Sequence, residues 1–167
     1  MQELFTAIYG RFTADSGIGF EDRPGIVDWE EVGGVAWHEP VYEDLGGRLY
    51  LEEVPQGSVY PNATYGLVNN DNDWTFTEDF DNALIQFNLY SKSRSVVEIT
   101  DAHSKLVSLF DNCSLASTDL GATWRHVYMT QDGSWLGKIP APDSTGGGSI
   151  WRYAVEYKVM LTKASSD

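Results

Sequence analysis

Apolar residues at Leu4, Phe5, Ile8 and Phe12 recur with the 3.6-residue period of a helix, and Asp15-Ser16-Gly17 supplies a stop. Residues 16–47 show no sustained period. They carry nine Gly and Pro residues, from Gly17 to Gly47, among acids, and read as a long loop or acidic arm. From Arg48 the period becomes two. "RLYLEEV" alternates, "ATYGLVNN" is rich in strand formers, and "NALIQFNLYS" puts Ala83, Ile85, Phe87 and Leu89 on one face. The intervening "DNDWTFTEDFD" is either a hairpin loop or the extended tip of two long strands.

A second helix follows. Ser95 and Glu98 have the spacing of a capping box, and Val96, Ile99, Ala102, Leu106, Leu109 and Phe110 form its apolar stripe. Asp111-Asn112 ends it. "ATWRHVYMT" then alternates Trp124, His126 and Tyr128 against Arg125, Val127 and Met129. In "IWRYAVEYKVMLT", Trp151, Tyr153, Val155, Tyr157, Val159 and Leu161 share one face, with Arg152, Glu156 and Lys158 on the other. Turn-forming residues between these two segments predict a flexible loop at about 131–149, with Trp135 in it. The expectation is an α+β fold in a single domain spanning 1–167. It has a mainly antiparallel β-sheet, two α-helices packed on one face, and long loops.

Charge changes the picture by its location. The net charge is −14, and residues 15–81 alone hold 16 Asp and Glu against Arg23 and Arg48. Elsewhere acids and bases cancel. Such a segment repels nucleic acid rather than gripping it. The single cysteine, Cys113, cannot form an internal disulfide, which suits a reducing compartment or a virion assembled in one. The opening "MQELFTAIYGRF" does not have the pattern of a signal peptide, and no stretch reaches the roughly 20 apolar residues of a membrane span. The sequon Asn62-Ala63-Thr64 is therefore expected to be a coincidence.

Catalytic and metal chemistry find little purchase. His38, His103 and His126 are isolated, with no paired ligand spacing. "NNDNDWTFTEDFD" lacks the glycine and terminal Glu of an EF-hand. No Gly-x-Ser-x-Gly is present, and "STGGGS" lacks the lysine of a phosphate loop. The expectation is a non-enzyme without metal or cofactor. What stands out is aromatic residues outside the clearest elements: Trp29, Trp37, Trp74, Phe76 and Trp135 are candidate protein-interface residues.

The run "VPQGSVYPNATYGLV", followed by the acidic turn and "FDNALIQFNLYSKSRSVVEITDAHSKLVSLFD", resembles the tail completion or tail terminator proteins of long-tailed bacteriophages, including tail-to-head joining proteins. The shared order is an N-terminal helix, a Pro-containing approach at Tyr60-Pro61, and a strand. A later strand then ends in a Ser-rich turn at Ser91, with a helix immediately after. The resemblance covers about two-thirds of the chain. It implies a ring, usually a hexamer, at the head-proximal end of the tail tube, which stops tube polymerisation. Implied partners are further copies of itself, the tail tube protein and the head connector or neck protein, with genome DNA passing through the lumen. No membrane is involved, and assembly takes place in the host cytoplasm. Asp71, Asp73, Glu78, Asp79 and Asp81 are then candidate lumen-facing acids that keep DNA from sticking. The rival readings are another neck or head-completion adaptor, and a carbohydrate-binding module.

Overall fold

A computed structural model describes residues 2–14, 41–74, 79–115, 120–121, 123–141 and 148–163. The elements in chain order are α1 (Gln2–Ala14), α2 (Val41–Asp44), β1 (Leu49–Leu51), β2 (Asn62–Trp74), β3 (Asp79–Ser91), α3 (Val97–Phe110), β4 (Trp124–Pro140) and β5 (Ser149–Lys163). The strands form one sheet in the order β1-β2-β3-β5-β4. All neighbours are antiparallel except β1 and β2. This is the expected α+β class, with both long helices on one face.

The core follows from the two periods. Ala83, Ile85, Phe87 and Leu89 of β3 and Val155, Tyr157, Val159 and Leu161 of β5 are all buried on that face. Leu4, Ala7, Ile8 and Phe12 of α1 and Ile99, Ala102, Leu106 and Phe110 of α3 close over them. Phe87 is the hub, with ring centroids at 4.8 Å from Phe110, 5.8 Å from Tyr157 and 6.0 Å from Tyr65. Arg11 fastens the two helices by donating from Nε to the Leu109 carbonyl at 2.7 Å, where α3 leaves its last carbonyls unpaired.

Several boundaries differ from the sequence reading. The predicted loop at 131–149 is mostly strand: β4 runs unbroken to Pro140, and pairing with β5 continues through Pro140↔Ser149. Gln131-Asp132-Gly133 has turn chemistry. The ladder instead absorbs the extra residue as a bulge between Gln131 and Gly133. A second bulge between His126 and Tyr128 breaks the expected alternation, so Tyr128 is exposed while Met129 is buried.

The predicted arm at 16–47 is corrected over its last residues, since 16–40 lie outside the described residues. Val41 and Leu45 are fully buried beneath α2 and its turn, and Lys105 of α3 pairs with Asp44 at 2.7 Å. Gly46 and Gly47 end α2 with φ of +55° and +71°, a conformation that favours glycine.

The capping box is also replaced. The N-cap is Val96, without a side-chain cap bond, and Glu98 accepts from the buried Ser91 hydroxyl instead. Ser91, Ser93 and Ser95 form a stair, each hydroxyl accepting the amide two residues on, at 2.9, 3.2 and 3.2 Å. "RLYLEEV" contributes only the three residues of β1. β2 runs well past "ATYGLVNN" to Trp74, so the acidic stretch is the tip of two long strands. Asn62 is 0% exposed, and its Nδ2 donates to the Val59 carbonyl at 3.0 Å, which leaves no room for a glycan on the folded chain.

Candidate interaction surface

The side of the sheet away from α1 and α3 carries the alternate residues of the same strands, and at its centre these are polar. Thr64, Gln86, Asn88, Arg152 and Glu156 form a hydrogen-bonded ladder across β2, β3 and β5. Arg152 donates from Nε and Nη2 to Asn88 Oδ1 at 3.0 and 2.7 Å, and from Nη2 to Gln86 Oε1 at 3.4 Å. Gln86 Nε2 donates to Glu156 Oε1 at 2.7 Å, and Asn88 Nδ2 reaches Thr64 Oγ1 at 3.5 Å. The guanidinium is thereby held flat, with capacity left for a partner.

Trp135 stands beside this ladder on β4, in register with Ala154. It is 51% exposed, although a tryptophan is costly to leave in water. Its indole lies over Gly137, where a Cβ would sit 2.4 Å from the ring. The Arg152 guanidinium carbon is 6.0 Å from the ring centre. Together Trp135, Arg152, Gln86, Glu156, Gly133 and Ala154 line an open groove of about 470 Å³. An exposed aromatic face next to an oriented guanidinium and a carboxylate suits recognition of another molecule.

Of the sequence candidates, Trp135 is thus brought to a surface, on a strand rather than in a loop. Trp29, Trp37, Phe76 and Glu78 lie outside the described residues. Trp74, Asp73 and Asp79 belong to the strand backbone at the β2–β3 tip. Asp71 is exposed and in register with Asn82, whereas Asp81 is half-buried and in register with Asn72 and Leu161, so the two carboxylates lie on opposite faces of the tip. Arg152, Gln86, Asn88 and Glu156 were not singled out from sequence. Their signal was present as the polar half of the alternation in β3 and β5.

Elsewhere the titratable groups are shaped by burial. Burial raises the Cys113 thiol above its ordinary pKa, which keeps it protonated; its Sγ lies 3.9 Å from Met129 Sδ. Burial pushes Tyr65 up to about 12 and raises Tyr157, whose hydroxyl has no partner among the described residues. His103, stacked at 3.7 Å on Tyr153, and His126 are both lowered by burial. Among the described residues there is no group of three or more His, Cys, Asp or Glu able to hold a metal ion. No described helix is long and apolar enough to cross a membrane.

No family model matches the chain, and no curated protein matches it in sequence. The fold is similar to that of a chain in a solved structure of the virion of a native gene transfer agent particle. The TM-score is 0.56 at 10% identity, over 73% of this chain and 84% of that one. The fold of this chain is therefore one also found in a virion component.

Proposed function

We propose that the chain is a virion structural protein of the tail completion or tail terminator type. Copies of it form a ring, six in the simplest case, at the head-proximal end of the tail tube. The ring stops tube polymerisation and presents its other side to the head connector. The observation that carries this reading is the fold likeness to a gene transfer agent virion chain, which spans 84% of that chain. The order of elements that resembles tail terminators supports it: β2 entered through Tyr60-Pro61, β3 ended by the serine stair, and α3 directly after. The protein acts by assembly rather than catalysis, within the virion.

In such a ring the β2–β3 tip that carries Asp71 and Asp81 points toward the DNA channel, and its negative charge lowers non-specific adhesion of the genome. Mixing the purified chain with its tail tube protein tests the reading by native mass spectrometry and electron microscopy. Closed rings and tubes capped at one end are expected. A strict monomer that leaves tube length unchanged sinks it.

One observation favours a second reading. Trp135, flat and half in water beside Arg152 and Glu156, is the arrangement a saccharide-binding face would use. Titration with a panel of oligosaccharides, read by Trp fluorescence, separates the two.

A further inference from the structure

The strand order leaves the sheet with two dissimilar outer edges. At one side, β1 pairs only with Ala63–Tyr65, so among the described residues the outer edge of β2 is uncovered from Gly66 to Trp74. At the other side, β4 pairs only with β5, and its 17-residue outer edge has no described partner strand. Rows of register link the two edges through the sheet. Asp71 shares a row with Asn82, Met160 and Tyr128, and Asp73 shares one with Phe80, Thr162 and Arg125.

We propose that successive copies of this chain join head to tail through these edges, with Gly66–Trp74 of β2 adding alongside Trp124–Gln131 of the next copy's β4. The inference rests on the ring reading and names its interface. Three observations carry it. First, β2, β3, β5 and β4 are each antiparallel to the next, so β2 and β4 run in opposite directions. A neighbour in the same orientation therefore brings β2 antiparallel to β4, the stable pairing.

Second, both edges expose apolar residues along the stretch that would pair: Leu67 and Val68 on β2, 39% and 52% exposed, and Val127 and Tyr128 on β4, 48% and 39% exposed. Trp124–Gln131 contains no Lys or Pro, so Arg125 and the bulge between His126 and Tyr128 are what guard this edge in water. Third, the charges are complementary. Gly66–Trp74 carries Asp71 and Asp73 and no base, while Trp124–Gln131 carries the exposed Arg125 and no acid. The two patches differ, so the contact is heterologous. Such a contact generates a ring when its rotation closes.

The test uses the full chain with paired cysteines on the two outer edges, Asp71→Cys with Tyr128→Cys, and Asn69→Cys with Thr130→Cys as a second row. On oxidation either pair is expected to give a covalent ladder of dimers, trimers and larger species on denaturing gels, while a chain with only one of the new cysteines beside the buried Cys113 gives no ladder. In a second arm, Arg125→Asp or Asp73→Arg alone raises the concentration for half-assembly about tenfold or more, and the double swap restores it. Dimers from Tyr128→Cys alone place β4 against β4 and overturn the proposal. A wild-type ring that survives both charge reversals and yields no ladder from either pair refutes the edge contact and leaves the ring reading standing. A wild-type chain that stays monomeric with tube protein removes both.

Discussion

The two faces of the sheet are built from the same strands, one residue out of phase, and they do different things. Toward α1 and α3, β3 presents Ala83, Ile85, Phe87 and Leu89, all between 0% and 2% exposed. One step along, the same strand presents Gln86 and Asn88, which β5 answers with Arg152 and Glu156. The covered face gains by removing apolar area from water, and its rings must fill the space between layers. The open face gains little from its polar ladder, because water competes for each bond. The ladder sets geometry: it fixes a guanidinium and leaves a tryptophan beside it. A side chain on this sheet is therefore read from its phase and from what lies over it.

The comparison breaks most visibly at Phe87. Phe87→Ala should cost about 3–5 kcal/mol in urea unfolding, since it empties the centre of the Tyr65–Phe110–Tyr157 cluster. A loss below about 1 kcal/mol would mean that the helices do not pack on this face.

The next effect is pH-dependent and belongs to the covered side. His103 and His126 have folded pKa values below the ordinary 6.5 because burial disfavours the imidazolium. As pH falls below about 6.5, the unfolded chain binds protons that the folded chain does not. Their contribution is fully present above that pH and is lost on acidification toward the folded pKa values. Replacing both by Gln should flatten that slope in denaturation curves taken across the window.

On the open face, Arg152→Met should cost about 1 kcal/mol or less, because its bonds are part-buried and water can replace them. Equal losses for Arg152→Met and Phe87→Ala would mean that the two faces contribute alike to stability. The smallest change is Gly137→Ala. A Cβ there meets the tip of the Trp135 indole at 2.4 Å, and that side chain can swing away into water. Stability should hardly move, while the Trp135 emission shifts to the red. An unchanged spectrum would show that the indole does not rest on Gly137.

Much of the covered face was legible in the residues. The stripe Ile99, Ala102, Leu106 and Phe110 and the strand faces of β3 and β5 were readable because burial imposes a strict period on each element. β4 shows where that reading fails. Gln131-Asp132-Gly133-Ser134 has local turn preferences, yet it stays in strand because β5 supplies a continuous partner and a bulge takes up the mismatch. The Ser95–Glu98 spacing misled for a related reason: Glu98 had a competing partner in Ser91, seven residues earlier and buried at the end of β3. Of the candidate surface, Trp135 was identified by residue type alone. Its neighbours Gln86, Asn88 and Arg152 became a site only once three strands were placed side by side.

The sequence by itself determined the core faces of α1, α3, β3 and β5 and where the two long helices stand, because apolar side chains at period 3.6 or 2 have one stable orientation toward a common interior. The buried Val41 and Leu45 of the α2 turn, which carry no such period, escaped it. It also located the charge, with the excess of acids over bases confined to residues 15–81. Only the tertiary structure decided how far β2 and β4 extend, that β1 adds parallel to β2, that the Asn62 sequon is buried, and that Trp135 faces water. Each of these depends on a partner distant in the chain, and the pairing energy it supplies outweighs the local preferences that sequence reading relies on.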